Sequence, residues 1–163
     1  MNRIAISTAL GILFLGGAIS AVEAVEHLPA DVRAALEQTN NFQSFSSVSA
    51  IPESVRATFA IAMRDSSFAM AEPGAKWQAT DAIVENDLPW RRLQAGAVSP
   101  DFLVLFYEHG GIGHSYHVCV FYVTADGAQL VWRASRPKTA LNLDDLNRAI
   151  RSGVVDDDPG NMF

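Results

Sequence analysis

Cysteine is almost missing from this chain: Cys119 is the only one in 163 residues. One thiol cannot close an internal disulfide, so the fold has to rest on its core, and a cysteine in mid-strand reads as a small buried hydrophobe. Positive charge is also scarce. Twelve Lys and Arg face 18 Asp and Glu, for a net charge of −6. That balance leaves no basic footprint for a phosphate backbone, which argues against nucleic acid and against an anionic membrane surface as partners. No internal repeat is visible. The longest apolar run, Ile4–Ile19, is roughly 16 residues and falls short of the roughly 20 that span a bilayer.

Complete catalytic motifs are lacking as well. Gly113-His114-Ser115-Tyr116-His117 sets a serine among histidines, but it has no second glycine of the nucleophile elbow and leads into a strand rather than a helix. Ser115 and His117 would share a strand face, with no acid placed to orient the imidazole. Gly110-Gly111-Ile112-Gly113 is likewise followed by a strand, so it reads as a hairpin turn and not as a phosphate cradle. Asp81, Glu85 and Asp87 do not match the spacing of a calcium loop.

The amino terminus has the layout of a secretory signal peptide. Asn2 and Arg3 precede the apolar run, and Val22-Glu23-Ala24 supplies small residues for cleavage after Ala24. The expectation is a signal segment over 1–24, one domain over 25–153 and a flexible acidic tail over 154–163 that holds Asp156, Asp157 and Asp158. The mature protein would be exported, to the periplasm or beyond.

Within the domain, apolar spacing predicts a helix over His27–Gln38 and another from Pro52 to Arg64. The serine-rich stretch between them reads as a loop with Phe42 and Phe45 turned inward. Trp77–Val84 is balanced between strand and loop. Strands are expected over Arg91–Val98, Phe102–His109, His114–Val123 and Gln129–Ala134, with Asp126-Gly127 as the second hairpin turn. A last helix follows, capped by Asn142 and stopped by Gly153. The fold class is therefore α+β: an antiparallel sheet of four to five strands (a meander over Arg91–Ala134) packed against two N-terminal helices and one C-terminal helix.

A two- or four-residue loop centred on Gly111-Ile112 would set His109 opposite His114 and Tyr107 opposite Tyr116. Phe102, Val104, Phe106, His117, Cys119, Phe121 and Trp132 would then form the buried face. The other face would end in Tyr107, His109, His114 and Tyr116, with Arg133 further along. Phenols and imidazoles with an apolar body and a polar tip suit a wet binding surface. The expected function is thus a non-catalytic binding or interaction protein of the cell envelope, using Tyr107, His109, His114, Tyr116 and Arg133 to hold a protein or small ligand, without a cofactor. The alternative is a zinc-dependent hydrolase with His109 and His114 as ligands and Glu108 or a distant acid assisting a bound water.

Overall fold

The structure, a computed structural model, describes residues 27–155 with the exception of Val84. The expected signal segment and all of the acidic tail beyond Val155 lie outside those residues. Helix α1 (Ala30–Glu37) follows Pro29 and buries Val32 and Leu36, four residues apart on one stripe. Helix α2 (Glu53–Ala62) follows Pro52 and buries Val55, Phe59 and Ala62. Both prolines sit just before the first turn, where a missing N–H costs nothing. Helix α3 (Leu143–Arg151) is capped by Asn142, whose Oδ1 accepts the Asp145 amide at 2.9 Å. Gly153 ends it with a φ of 69°.

The strands are β1 (Gln43–Phe45), β2 (Arg91–Val98), β3 (Phe102–His109), β4 (Ser115–Thr124) and β5 (Gly127–Ser135). They form one antiparallel five-stranded sheet in chain order, so every long pairing is a meander step. The α+β architecture stands as expected, with β1 added from the serine-rich stretch. Among its described residues Trp77–Val84 holds no strand. Its chain folds around the buried side chain of Gln78, whose amide donates to the Thr80 carbonyl at 2.7 Å and to that of Ala82. Among the described residues no helix is long and apolar enough to cross a membrane.

Both faces of the sheet are buried. Helix α2 covers one face, closing a core of Phe59, Met63, Leu93, Leu105, Tyr107, Cys119 and Phe121. Helices α1 and α3 cover the other, over Val104, Phe106, Val118, Val120, Trp132 and Ala134. We call these the α2 face and the α1/α3 face. Phe59 meets the rings of Phe68, Tyr107 and Phe121 at centroid distances of 5.5, 5.4 and 6.5 Å.

The β3–β4 register departs from expectation by one residue. Tyr107 pairs with His117, Glu108 with Tyr116, and His109 with Ser115. The connecting loop therefore runs over residues 110–114, an odd length, where an even one was expected. Gly110 explains where β3 must end. Its amide donates to the Trp90 carbonyl at 2.9 Å, and a Cβ there would lie 1.9 Å from the Gln78 carbonyl oxygen. Gly111 then turns the chain with a φ of 123°. A one-residue slip turns every side chain of the second strand over. His117, Cys119 and Phe121 thus lie on the α2 face with Tyr107, and Tyr116, Val118 and Val120 lie on the α1/α3 face with Glu108.

Candidate functional site at the β3–β4 hairpin end

The five residues expected to share a surface are divided between the two faces. Tyr107, His109 and Arg133 lie on the α2 face, and Tyr116 lies on the α1/α3 face, to which His114 reaches from the loop. Tyr107 is 1% exposed and Arg133 6% exposed, both under cover. The expected zinc pair is separated in the same way. His109 turns to His117, with ring centroids 6.4 Å apart, whereas His114 turns to Glu108. Among the described residues no group of three His, Cys, Asp or Glu side chains is arranged to hold a metal ion.

On the α2 face the hairpin end is a polar layer in which Tyr107, His117, Arg91 and Arg133 are buried and His109 and Ser115 half-buried. The Tyr107 ring stacks on His117 at 5.2 Å, and its hydroxyl points to Met63 Sδ at 3.9 Å. Burial, aided by the neighbouring Cys119, pushes the Tyr107 phenol well above its usual range. His117 is 1% exposed. Its Nε2 lies 2.7 Å from Ser115 Oγ, and its buried Nδ1 has no hydrogen-bond partner. Burial first, then the nearby His109, Arg136, Arg91 and Arg133, lower its pKa from 6.5 to about 3. His109 is lowered too, by burial and Arg91. Arg91 pairs with Asp65 just past α2, and its guanidinium carbon lies 5.7 Å from the Phe59 ring centroid.

The close Ser115–His117 contact has the look of a nucleophile and its base. Its chemistry is otherwise. A general base works best with a pKa near the operating pH, and an imidazole held at about 3 cannot take a serine proton efficiently. No carboxylate orients Nδ1. Cys119 is equally inert, since burial raises its thiol to about 12.

On the α1/α3 face the same end of the sheet is partly open and differently built. Glu108, 2% exposed, accepts from Arg92 Nε at 2.5 Å, and its other oxygen lies 2.7 Å from His114 Nε2. The Arg92 guanidinium sits over the Trp77 ring at 4.9 Å. Trp77 meets His114 edge-on at 5.2 Å, and His114 leans on Tyr116 at 4.8 Å. Lys138 Nζ reaches to 6.0 Å from the Tyr116 centroid. The result is a continuous array of Arg92, Trp77, His114, Tyr116 and Lys138, in which three successive rings are flanked by two cations, with the buried Glu108 carboxylate bonded to Arg92 and His114.

Arg136 holds this array from beneath. It donates to the carbonyls of His117 at 2.9 Å and Pro137 at 3.0 Å, and to Gln94 Oε1. Its guanidinium lies 5.5 Å from the Phe106 ring centroid and 5.7 Å from that of Tyr116. Burial lowers its pKa to about 10, so it stays charged at neutral pH.

Sequence reading found His114 and Tyr116 but missed Trp77, Arg92 and Arg136 as their neighbours. Trp77 and Arg136 lie outside the hairpin, and only the folded loops bring them to it. Arg92 could have been reached through the alternation of β2, since Arg92 pairs directly with Glu108. Comparison of the chain with protein-family models, with curated proteins and with solved structures finds no match.

Proposed function

We propose that the chain is an exported, non-catalytic binding domain that engages its partner through the array at the hairpin end of the α1/α3 face. What carries this reading is the contrast between the two polar groups at that end. In the nucleophile-like pair on the α2 face Ser115 is half-buried, and its partner His117 is buried and held neutral. The array on the α1/α3 face leaves the side chain of His114 38% exposed, with Tyr116 and Trp77 half-buried and Lys138 exposed. Trp, Tyr and Arg are the residue types that concentrate binding energy at protein interfaces. Here they are already held by Glu108 and Arg136, so little side-chain freedom remains to be lost on binding. Export rests on the layout of residues 1–24, and the acidic balance of the chain disfavours nucleic acid and anionic membranes.

The test uses the full chain expressed in a host that exports it. The exported form should begin at Val25, and it should retain a partner from envelope extract that is identified by mass spectrometry. Tyr116→Ala and Trp77→Ala should release that partner, whereas Tyr107→Phe should keep it. Retention by all three variants would reject the array as the contact surface.

A further inference from the structure

The members of the array are strung across the sheet. Arg92 on β2, Glu108 on β3 and Tyr116 on β4 are successive cross-strand partners, which roots Arg92 and Tyr116 two strand spacings apart, roughly 10 Å. Lys138 follows β5, the next strand out. The two flanking cations are therefore rooted on opposite sides of the β3–β4 pair, with the rings of Trp77, His114 and Tyr116 in series between them.

The open polar atoms of this row are groups that can donate. Among the described residues, no acceptor is bonded to the terminal nitrogens of Arg92, the Trp77 indole nitrogen, the Tyr116 hydroxyl or the Lys138 ammonium. The one carboxylate, Glu108, is 2% exposed and has given both oxygens to Arg92 and His114, so a cationic partner finds nothing to pair with. A wholly apolar partner would strip water from Arg92 and Lys138 and return no acceptor. Charge points the same way. Three cations, Arg92, Arg136 and Lys138, against one carboxylate leave a local surplus of two positive charges on a chain of net charge −6. Screening confines that surplus to about 8 Å at physiological salt. A short acidic stretch meets it, whereas a long polyanion runs on over a surface of its own sign.

We infer, on the reading that the array is the contact surface, that it takes an extended acidic segment of a partner protein, with one carboxylate on Arg92, a second on Lys138 and an apolar side chain over the rings between them. A single carboxylate cannot bond both cations across three rings. An extended chain rises about 3.3 Å per residue and turns side chains i, i+2 and i+4 to one side. The matching pattern is therefore acid, apolar, acid at every second position.

The test is a titration of the ¹⁵N-labelled exported chain with the blocked pentapeptide Glu-Ser-Phe-Ser-Glu. Its Gln-Ser-Phe-Ser-Gln and Lys-Ser-Phe-Ser-Lys counterparts and inorganic phosphate serve as comparison probes. The acidic peptide should shift the amides of residues 77, 92, 114, 116 and 138 saturably. It should bind about 3- to 10-fold more tightly than the glutamine peptide, the scale of two exposed ion pairs. Lys138→Gln, at an exposed position with no side-chain hydrogen bond, should cut that preference to about 2- to 3-fold, and salt at about 0.5 M should remove most of it. No saturable shift, equal affinity for the acidic and glutamine peptides, equal shifts with phosphate, tighter binding of the lysine peptide, or an unchanged preference in Lys138→Gln would each overturn the inference. Tyr116→Ala separates the two levels. If it releases neither peptide nor partner, the array is not the contact surface; if it releases them while the three peptides bind equally, the array stands and the acidic segment falls.

Discussion

At the glycine end of the hairpin the two faces of one sheet draw on the same residue types and reach opposite states. The α2 face has Tyr107, His109 and His117, and the α1/α3 face has Tyr116, His114 and Trp77. On the first, the end of α2 lays Phe59, Met63 and Asp65 against the layer. Tyr107 and His117 are cut off from solvent there, the phenol is pushed up and the imidazoles are pushed down. On the second no helix reaches so far. Tyr116 and His114 keep contact with solvent while a buried carboxylate and Arg136 hold them in place. A tyrosine or histidine near a turn thus says little by itself, and what roofs it decides whether it can serve as a contact.

The comparison can be broken most severely by removing the roof. Phe59→Ala should cost about 3–5 kcal/mol, because it empties a fully buried site that touches three other rings. Denaturant unfolding measures this, and a loss below about 1 kcal/mol would mean that α2 does not seal the layer.

The next effect is pH dependence, and its sign follows from His117. Its pKa is lowered to about 3 from 6.5, so between those values the unfolded chain binds a proton that the folded chain refuses. The stability that neutral His117 contributes is complete above about pH 6.5 and is lost as the pH falls toward 3, by up to about 1.4 kcal/mol per unit. His109, also lowered, acts in the same direction. Unfolding curves at pH 7 and pH 4.5 should show the loss, and His117→Phe should flatten it. An unchanged slope in that variant would place the titrating group elsewhere.

On the α1/α3 face, Glu108→Gln should cost about 1–3 kcal/mol, since it strips a buried carboxylate from Arg92 and His114. The figure lies below that of a fully buried pair because the Arg92 side chain is 29% exposed. A neutral result in denaturant would show that the array is not held from below. The smallest expected effect on stability is that of Tyr116→Ala, about 1 kcal/mol or less, combined with the loss of partner retention. A large loss of stability instead would make Tyr116 a core residue and remove the contrast between the faces.

The elements themselves were legible because each carried its own punctuation: Pro52 before α2, Asn142 before α3, and Asp126-Gly127 between β4 and β5. The face each β4 residue occupies was not legible. A register is specified strongly when only one face is apolar. Here Val118 and Val120 on one parity and Cys119 and Phe121 on the other suit a core equally well, because helices cover both sides. Hydrophobic pattern could not choose between them, and the choice fell to Gly110, whose close approach to Gln78 no local rule reveals. Strand β1 was hidden for a related reason: as a three-residue edge strand with Gln43 and Ser44 exposed, it carries no apolar alternation. Residues Trp77 and Arg136 joined the array only through loop folding.

The central claim is that Tyr107 and Tyr116 occupy opposite faces, one sealed and one open. The chain has three tyrosines, so each can be followed separately. Limited nitration of the native protein with tetranitromethane, mapped by peptide mass spectrometry, tests the claim directly. Tyr116 and Tyr122 should be modified while Tyr107 stays intact until the protein is unfolded; nitration of Tyr107 and Tyr116 at equal rates in the native state would contradict the account.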